Sequence, residues 1–241
     1  NFRTNLEADI TKWLKVGTRL YGQKQDYGMA NISNGFKYLY QTTPGVYPGE
    51  PNYWGRAALA GEESSNANNI FGQMAGATGF NSVWRVNASL YGTITPYKGL
   101  SIEATVNYSP TFRDKSSYSR QNGYWDYVTD QRVSESALAN ASITNTSERS
   151  YRQGVEILAR YNTTINKDHD LGALLGYSAQ KYYSKSFAIS RKGATDWTLN
   201  EIGTYEELVS SSSSSPAKWG LLSYFGRINY AYKSKYLFEA N

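Results

Sequence analysis

Cysteine is absent from the 241 residues, which removes disulfide stapling and cysteine-based metal or redox chemistry. Histidine is nearly absent too: His169 stands alone in an expected tight turn, where it reads as a solvated turn residue. No run approaches the ~20 apolar residues of a membrane-spanning helix, which excludes a helical membrane protein but not a barrel, whose signal per segment is much weaker. Asn1 is followed by neither a charged segment nor an apolar one, so no targeting peptide is visible, and for an exported protein the reading expects the N-terminus to be missing. Although the net charge is +5, lysine and arginine are scattered among acids without a basic stripe, which argues against nucleic acid as a partner. Phosphate-binding glycine loops, zinc motifs, calcium loops and nucleophile elbows are lacking as well. Glu206-Glu207 reads as a solvated loop pair. The expectation is no enzyme, no cofactor and no metal.

What the chain does have is aromatic residues, 15% of the total, in a polar background of mean hydropathy −0.59. They accompany long period-2 alternation, the pattern of strands with one apolar and one wet face. Phe2, Thr4, Leu6, Ala8 and Ile10 oppose Arg3, Asn5, Glu7 and Asp9. Leu14, Val16, Thr18 and Leu20 follow after a turn at Thr11–Trp13. The pattern returns at Val86–Ile94 and Leu100–Tyr108 around a turn at Thr95–Gly99. It appears again at Val155–Ile165 and Leu171–Ala179 around Asn166–Asp170, and at Leu222–Tyr232 and Tyr236–Ala240 around Lys233–Lys235.

Eight strands in four hairpins follow, joined by irregular stretches at Lys24–Ser82, Pro110–Ser150 and Ser186–Ala217. Tight turns therefore share one end and long loops the other, as in an antiparallel up-and-down transmembrane β-barrel with long extracellular loops. Leu171 to Ala179 rises roughly 30 Å, which at a tilt of ~40° covers the ~25 Å apolar band of such a barrel. On that strand's apolar parity charge appears only past the band, at Lys181 and Lys185. The opposite parity carries Arg3, Glu7, Asp9, Arg19, Arg85, Glu103, Glu156, Arg160, Arg227 and Glu239. An interior filled by ion pairs would accommodate them, and a wide wet or plugged lumen does so more easily. Glu239-Ala240-Asn241 stops in mid-pattern, so the fold class expected is all-β, about eight strands forming an open arc of a larger barrel.

The long stretches hold the candidate site. Asn34–Gln41 reads as a short helix stopped before Pro44, and Ser210–Ser215 as a mobile loop tip. Tyr53, Trp54, Arg56, Tyr124, Trp125 and Tyr127 are candidates for ligand contact, since aromatic faces beside polar groups can stack on sugar rings or grip peptide side chains. The competing reading is one long loop packing on another. Trp13, Trp219, Tyr230, Tyr232 and Tyr236 lie near strand ends and are expected at a membrane-interface girdle.

The run Trp219–Asn241 (WGLLSYFGRINYAYKSKYLFEAN) closely resembles a barrel segment of SusC/RagA-type TonB-dependent transporters. Asn5–Gly17 (NLEADITKWLKVG) and Thr43–Pro48 (TPGVYP) look like earlier parts of the same family, in the family's order. The resemblance implies an outer-membrane barrel of about 22 strands around an internal plug, energised through TonB. It further implies a SusD-like lipoprotein lid and import of glycans or peptides. Residues 1–241 would then be part of a TonB-dependent receptor β-barrel domain without signal peptide, TonB-contacting segment, plug or final strands. They would supply lumen wall, part of the ligand chamber and part of the lid-docking surface, against outer-membrane lipid.

Three rivals make different predictions. A siderophore or cobalamin receptor shares the fold. A standalone eight-stranded barrel, an anchor or adhesin, requires the first strand to pair with the last. A soluble all-β binding domain requires the apolar parity to face a second sheet.

Overall fold

The computed structural model describes residues 1–28, 32–39, 46–56 and 69–241. In chain order the strands are β1 (Phe2–Thr11), β2 (Leu14–Tyr27), β3 (Trp54–Gly55), β4 (Ala77–Tyr97), β5 (Leu100–Ser119) and β6 (Gly123–Asp126). They continue as β7 (Gln131–Glu135), β8 (Ser142–Ile165), β9 (His169–Ala194), β10 (Tyr205–Ser213), β11 (Ala217–Tyr232) and β12 (Tyr236–Ala240). Helices α1 (Ile32–Leu39) and α2 (Ile70–Ala75) lie between β2 and β4. The large sheet runs β1-β2-β4-β5-β8-β9-β11-β12, antiparallel throughout, with β10 also on β9. Among the described residues β1 pairs only with β2 and β12 only with β11, so the eight strands form an open arc rather than a closed barrel.

Four tight turns close the hairpins. Asn166 and Lys167 take φ of 52° and 65°, and Lys233 and Ser234 take 49° and 54°, the left-handed geometry whose twist matches tight antiparallel connections. Gly99, at φ 91°, supplies the same freedom beneath the carbonyl of Asn162.

Register assembles the alternating residues into continuous rows. Leu6, Thr18, Leu90, Val106, Val155, Ala179 and Leu222 form one row across seven strands. Ala8, Val16, Gly92, Ala104, Ile157, Tyr177 and Tyr224 form the next. This apolar face remains exposed, Leu90 at 62% and Leu175 at 69%, and no second sheet covers it among the described residues. Aromatics bound the band on both sides. Towards the long loops, Tyr108, Tyr151 and Tyr183 stand side by side, with centroids 6.0 and 5.1 Å apart, and Trp84 lies under the Lys24 ammonium. Towards the tight turns, Tyr97 meets Tyr161 edge-on, and Tyr232 stacks on Tyr236 and packs at a tilt against His169. Tyr151 and Tyr161 are ten residues apart on β8, or roughly 25 Å once ~3.3 Å per residue is corrected for strand tilt. This is the height of an outer-membrane-type hydrocarbon belt.

The other face is knit by polar contacts. Lys15 reaches Glu7 at 2.8 Å, Arg160 reaches Glu103 at 3.8 Å and Arg227 reaches Glu239 at 3.8 Å. The Tyr91 hydroxyl donates to Glu7 at 2.7 Å across the intervening strand, while Arg19 lies 4.4 Å from the centre of its ring. Gly17 allows this, because a Cβ there would fall inside the Tyr91 ring.

Several expectations need correction. The stretches Pro110–Ser150 and Ser186–Ala217 are much shorter as irregular structure, and Lys24–Ser82 loses its two ends to β2 and β4, because β4, β5, β8 and β9 are 21, 20, 24 and 26 residues long. Beyond the upper aromatics both parities are polar, as in Thr144, Asn145 and Ser147 of β8, so no amphipathic signal marks these strand ends. The serine run is not a loop tip: Ser210–Ser213 pair with Phe187–Ser190. Glu207, expected in a loop, sits in the same strand and meets Lys192 at 3.1 Å. The expected helix Asn34–Gln41 occurs as α1, starting at Ile32; Gln41 and Pro44 lie outside the described residues. His169 is not simply solvated, since its Nδ1 and the Tyr230 hydroxyl share a 2.6 Å hydrogen bond.

Candidate functional site

At the long-loop end a second, three-stranded sheet is built from two loops distant in sequence. β3, from the β2–β4 connection, lies parallel to β6, from the β5–β8 connection, with Trp54 opposite Tyr124 and Gly55 opposite Trp125. β7 completes it antiparallel to β6. Asn69 locks the β2–β4 connection onto itself. Its side-chain oxygen caps α2 by accepting from the Phe71 and Gly72 amides, both at 3.1 Å. Its side-chain nitrogen donates to the carbonyls of Tyr47, Pro48 and Gly55 at 3.2, 3.2 and 2.7 Å. Asn69 is 2% exposed, and one amide gathers five backbone groups, its two N–H donors shared among three carbonyls with Gly55 the nearest.

All six ligand candidates enter this module, but in different roles. Tyr124 is an internal brace: buried against Gly72, its hydroxyl accepts from Gln73 at 3.2 Å, and burial pushes its ionisation above the usual tyrosine range. Trp54 stacks on Phe71 at 6.3 Å. Arg56 lies 3.7 Å from Asp126, and its amide donates to the Trp125 carbonyl. Tyr53, Trp125 and Tyr127 present a surface instead. Tyr53 and Trp125 meet at 5.4 Å, and the Tyr127 hydroxyl donates to the Tyr53 carbonyl at 2.7 Å. Two residues that sequence reasoning missed complete this surface. Tyr47 packs on Tyr127 at 4.5 Å, and the Arg132 guanidinium covers both Tyr53 and Trp125, at 5.0 and 5.8 Å. Arg132 stands in a polar strand without local aromatic company, so only the β6–β7 register reveals it.

Asp126 turns the chain between β6 and β7. Its carboxylate accepts from the Thr129 and Val128 amides, at 3.1 and 2.9 Å, and these bonds hold its ionisation below the usual carboxylate range, with Arg56 adding a smaller pull. Neighbouring strand tips carry a separate apolar knot: Ile143, Ala141 and Tyr205 are fully enclosed, with Trp197 and Ile202 packed against them.

The girdle candidates divide as well. Tyr230, Tyr232 and Tyr236 occupy the apolar face at the tight-turn end, and Trp13 sits in the first turn. Trp219, expected beside them, falls on the polar face, where it stacks on Tyr182 at 5.5 Å and carries Arg152 above its ring at 5.7 Å. The adjacent Lys218 takes the apolar face instead and approaches Tyr183. Sequence spacing near a strand start did not fix that parity.

No family model matches the chain. It is 28% identical over 243 residues to the TonB-dependent receptor P26 of Formosa agariphila, covering 98% of this chain and 23% of that protein. It is 26% identical over 257 residues to the TonB-dependent receptor P3 of the same organism, again 98% and 23%. Among solved structures, the RagAB peptide transporter aligns over 96% of this chain and 26% of its own, with TM-score 0.70 and 20% identity. The "closed-closed" RagAB peptide importer aligns over 95% and 25%, with TM-score 0.70 and 22% identity. The chain resembles a SusC/RagA-type TonB-dependent transporter in both sequence and fold. The eight-strand path of its large sheet accordingly corresponds to an arc of a transmembrane β-barrel, not closed within this chain. It spans about a quarter of the length of the curated relatives it matches. These relatives are named as receptors and the structures as transporters, and neither description is that of an enzyme.

Proposed function

We propose that residues 1–241 form part of the barrel domain of an outer-membrane, TonB-dependent importer of oligosaccharides or peptides. The observation that carries this reading is the pairing of a lipid-height apolar belt on one face with a charged, hydrogen-bonded face on the other, in a sheet that does not close on itself. A small closed barrel serving as anchor or adhesin needs β1 on β12, and that pairing is absent. In the proposed import cycle the polar face lines the ligand path. Tyr47, Tyr53, Trp125, Tyr127 and Arg132 offer an aromatic surface to ligand or to a SusD-like lipoprotein lid, while Tyr124, Trp54 and Arg56 hold that surface in place. TonB would act through a region outside this chain. The RagAB structures, those of a peptide transporter, support a peptide as one cargo class; the aromatic surface suits sugar rings equally well.

Uptake by cells carrying the protein tests this. Labelled oligosaccharides or peptides should accumulate, and accumulation should stop when the proton-motive force is collapsed. Entry that survives collapse unchanged would mean a passive pore and overturn the import reading.

A further inference from the structure

The apolar face carries a feature of opposite character at the upper edge of its belt. Tyr151 of β8 and Tyr183 of β9 stack there at 5.1 Å, 16° from parallel. Four cations surround this pair on the same face. Lys181 and Lys185 stand two residues to either side of Tyr183 on β9, roughly 7 Å away along the strand. Lys218 lies opposite Tyr183 on β11 and brings its ammonium to 5.9 Å from the ring centre. Arg149 of β8 lies opposite Lys185. Arg149, Lys181 and Lys218 are exposed and Lys185 is half-buried. Among the described residues none of the four has an ion pair or a hydrogen bond. The polar face is built differently, since Arg113, Arg160 and Arg227 each meet a carboxylate there. In the next row outward on the apolar face the carboxylates have other partners: Asp26 is held by Lys24 and Ser82, and Asp114 accepts from Ser147 at 3.0 Å.

Four like charges gathered round one aromatic pair repel one another unless an anion lies among them. The surroundings indicate what carries that anion. Directly below, a shallow groove of about 440 Å³ is walled by Val106, Tyr108, Val155, Ala179 and Lys181. The row Val155, Ala179, Leu222 then continues into the belt. A soluble anion gains nothing from that apolar continuation, whereas an amphiphile fills both halves. Its phosphate oxygens accept charge-assisted hydrogen bonds from ammonium and guanidinium groups, and its acyl chain follows the groove. Phosphate monoesters, with close to two negative charges each, match a group of four cations better than a carboxylate does. Tyrosine rings suit the junction between headgroup and acyl chain. The cluster lies at the long-loop end, the extracellular side in barrels of this plan. We propose that Arg149, Lys181, Lys185 and Lys218 form a seat for the phosphate-bearing headgroup of an outer-leaflet lipid. The seat rests on the membrane placement of the belt in the import reading and adds a lipid partner to it.

The test is native mass spectrometry of the protein released from phosphatidylcholine nanodiscs doped with diphosphorylated lipid A. Wild type should retain lipid A. Arg149→Gln, Lys181→Gln, Lys185→Gln and Lys218→Gln should each weaken retention about five-fold, and the four together should remove it. Arg149→Lys keeps the charge and should stay close to wild type. Lys98→Gln, an exposed cation in a tight turn at the other end, should change nothing. Enzymatically dephosphorylated lipid A should bind wild type as weakly as the four-fold variant binds lipid A. Unchanged retention in all four single variants, or equal retention of the dephosphorylated lipid, overturns the seat. Displacement of lipid A by an equal concentration of soluble glucosamine 6-phosphate also overturns it, in favour of a free-phosphate site. The two readings fail separately. Insertion into phosphatidylcholine with no phosphate preference sinks the seat alone, whereas failure to insert into any bilayer sinks the membrane placement and the seat with it.

Discussion

Asn69 joins segments that the chain keeps apart, and its loss should be felt at both. Asn69→Ala removes a helix cap, at about 1 kcal/mol, and strands the buried Gly55 carbonyl, for an expected total of about 2–4 kcal/mol of local stability. Hydrogen exchange at the Phe71 and Gly72 amides should accelerate while the β8–β9 ladder stays protected. Asp126 gives a pH signature in the same module. Its ionisation is held below the ordinary carboxylate value of about 4, so its contribution is fully present above that value and lost as pH falls through the lowered one. The turn at Val128 and Thr129 should therefore hold at neutral pH and loosen in acid, and Asp126→Asn should flatten that dependence, as seen in the Trp125 indole resonance. Little of this was legible beforehand. Tyr53, Trp54, Tyr124, Trp125 and Tyr127 announce themselves as aromatics in polar stretches, and they do meet. Which of them brace and which face outward depends on a parallel pairing between two loops some seventy residues apart, for which no local pattern exists.

At the scale of strands, the belt was readable because lipid and water impose opposite demands on alternate residues. Ile157→Arg, in mid-belt on the apolar face, should cost about 2–4 kcal/mol in refolding into vesicles, measured by denaturant titration. Thr105→Arg points to the other face opposite Glu156 and should cost far less. Equal penalties would mean that the faces are misassigned. Outside the belt this demand disappears. Ser210–Ser213 carry no amphipathic pattern, and what recruits them is the open backbone edge of β9, which any extended segment can satisfy. Their amides should exchange slowly, as ladder amides do; exchange at loop rates would contradict β10.

At the scale of the molecule, Trp84 and Trp219 provide internal reporters of which side faces lipid. Both stand near the upper boundary of the belt, on opposite faces of the arc. In single-tryptophan variants reconstituted in bilayers, bromine on the upper acyl chain should quench Trp84 and leave Trp219 bright, while aqueous iodide should do the reverse. The overall sheet was legible from turn spacing and alternation, because a closed antiparallel ladder in lipid leaves few alternatives. Strand height was not, for the reason visible in β8 and β9: once both faces are wet, serine, threonine and lysine are equally at home on either.

That surplus height carries an electrical consequence. From Tyr183 to Ala194, β9 continues for eleven residues past the upper aromatics, a rise of roughly 25–30 Å after tilt. The field of charged headgroups decays over about 8 Å at physiological ionic strength, so the strand tips stand some three decay lengths above it. A ligand arriving at the rim meets almost none of the bilayer's own potential. In the proposed import role, discrimination between charged and neutral cargo at that point would fall to the protein's side chains alone, and it should persist when the charge of the surrounding lipid is changed.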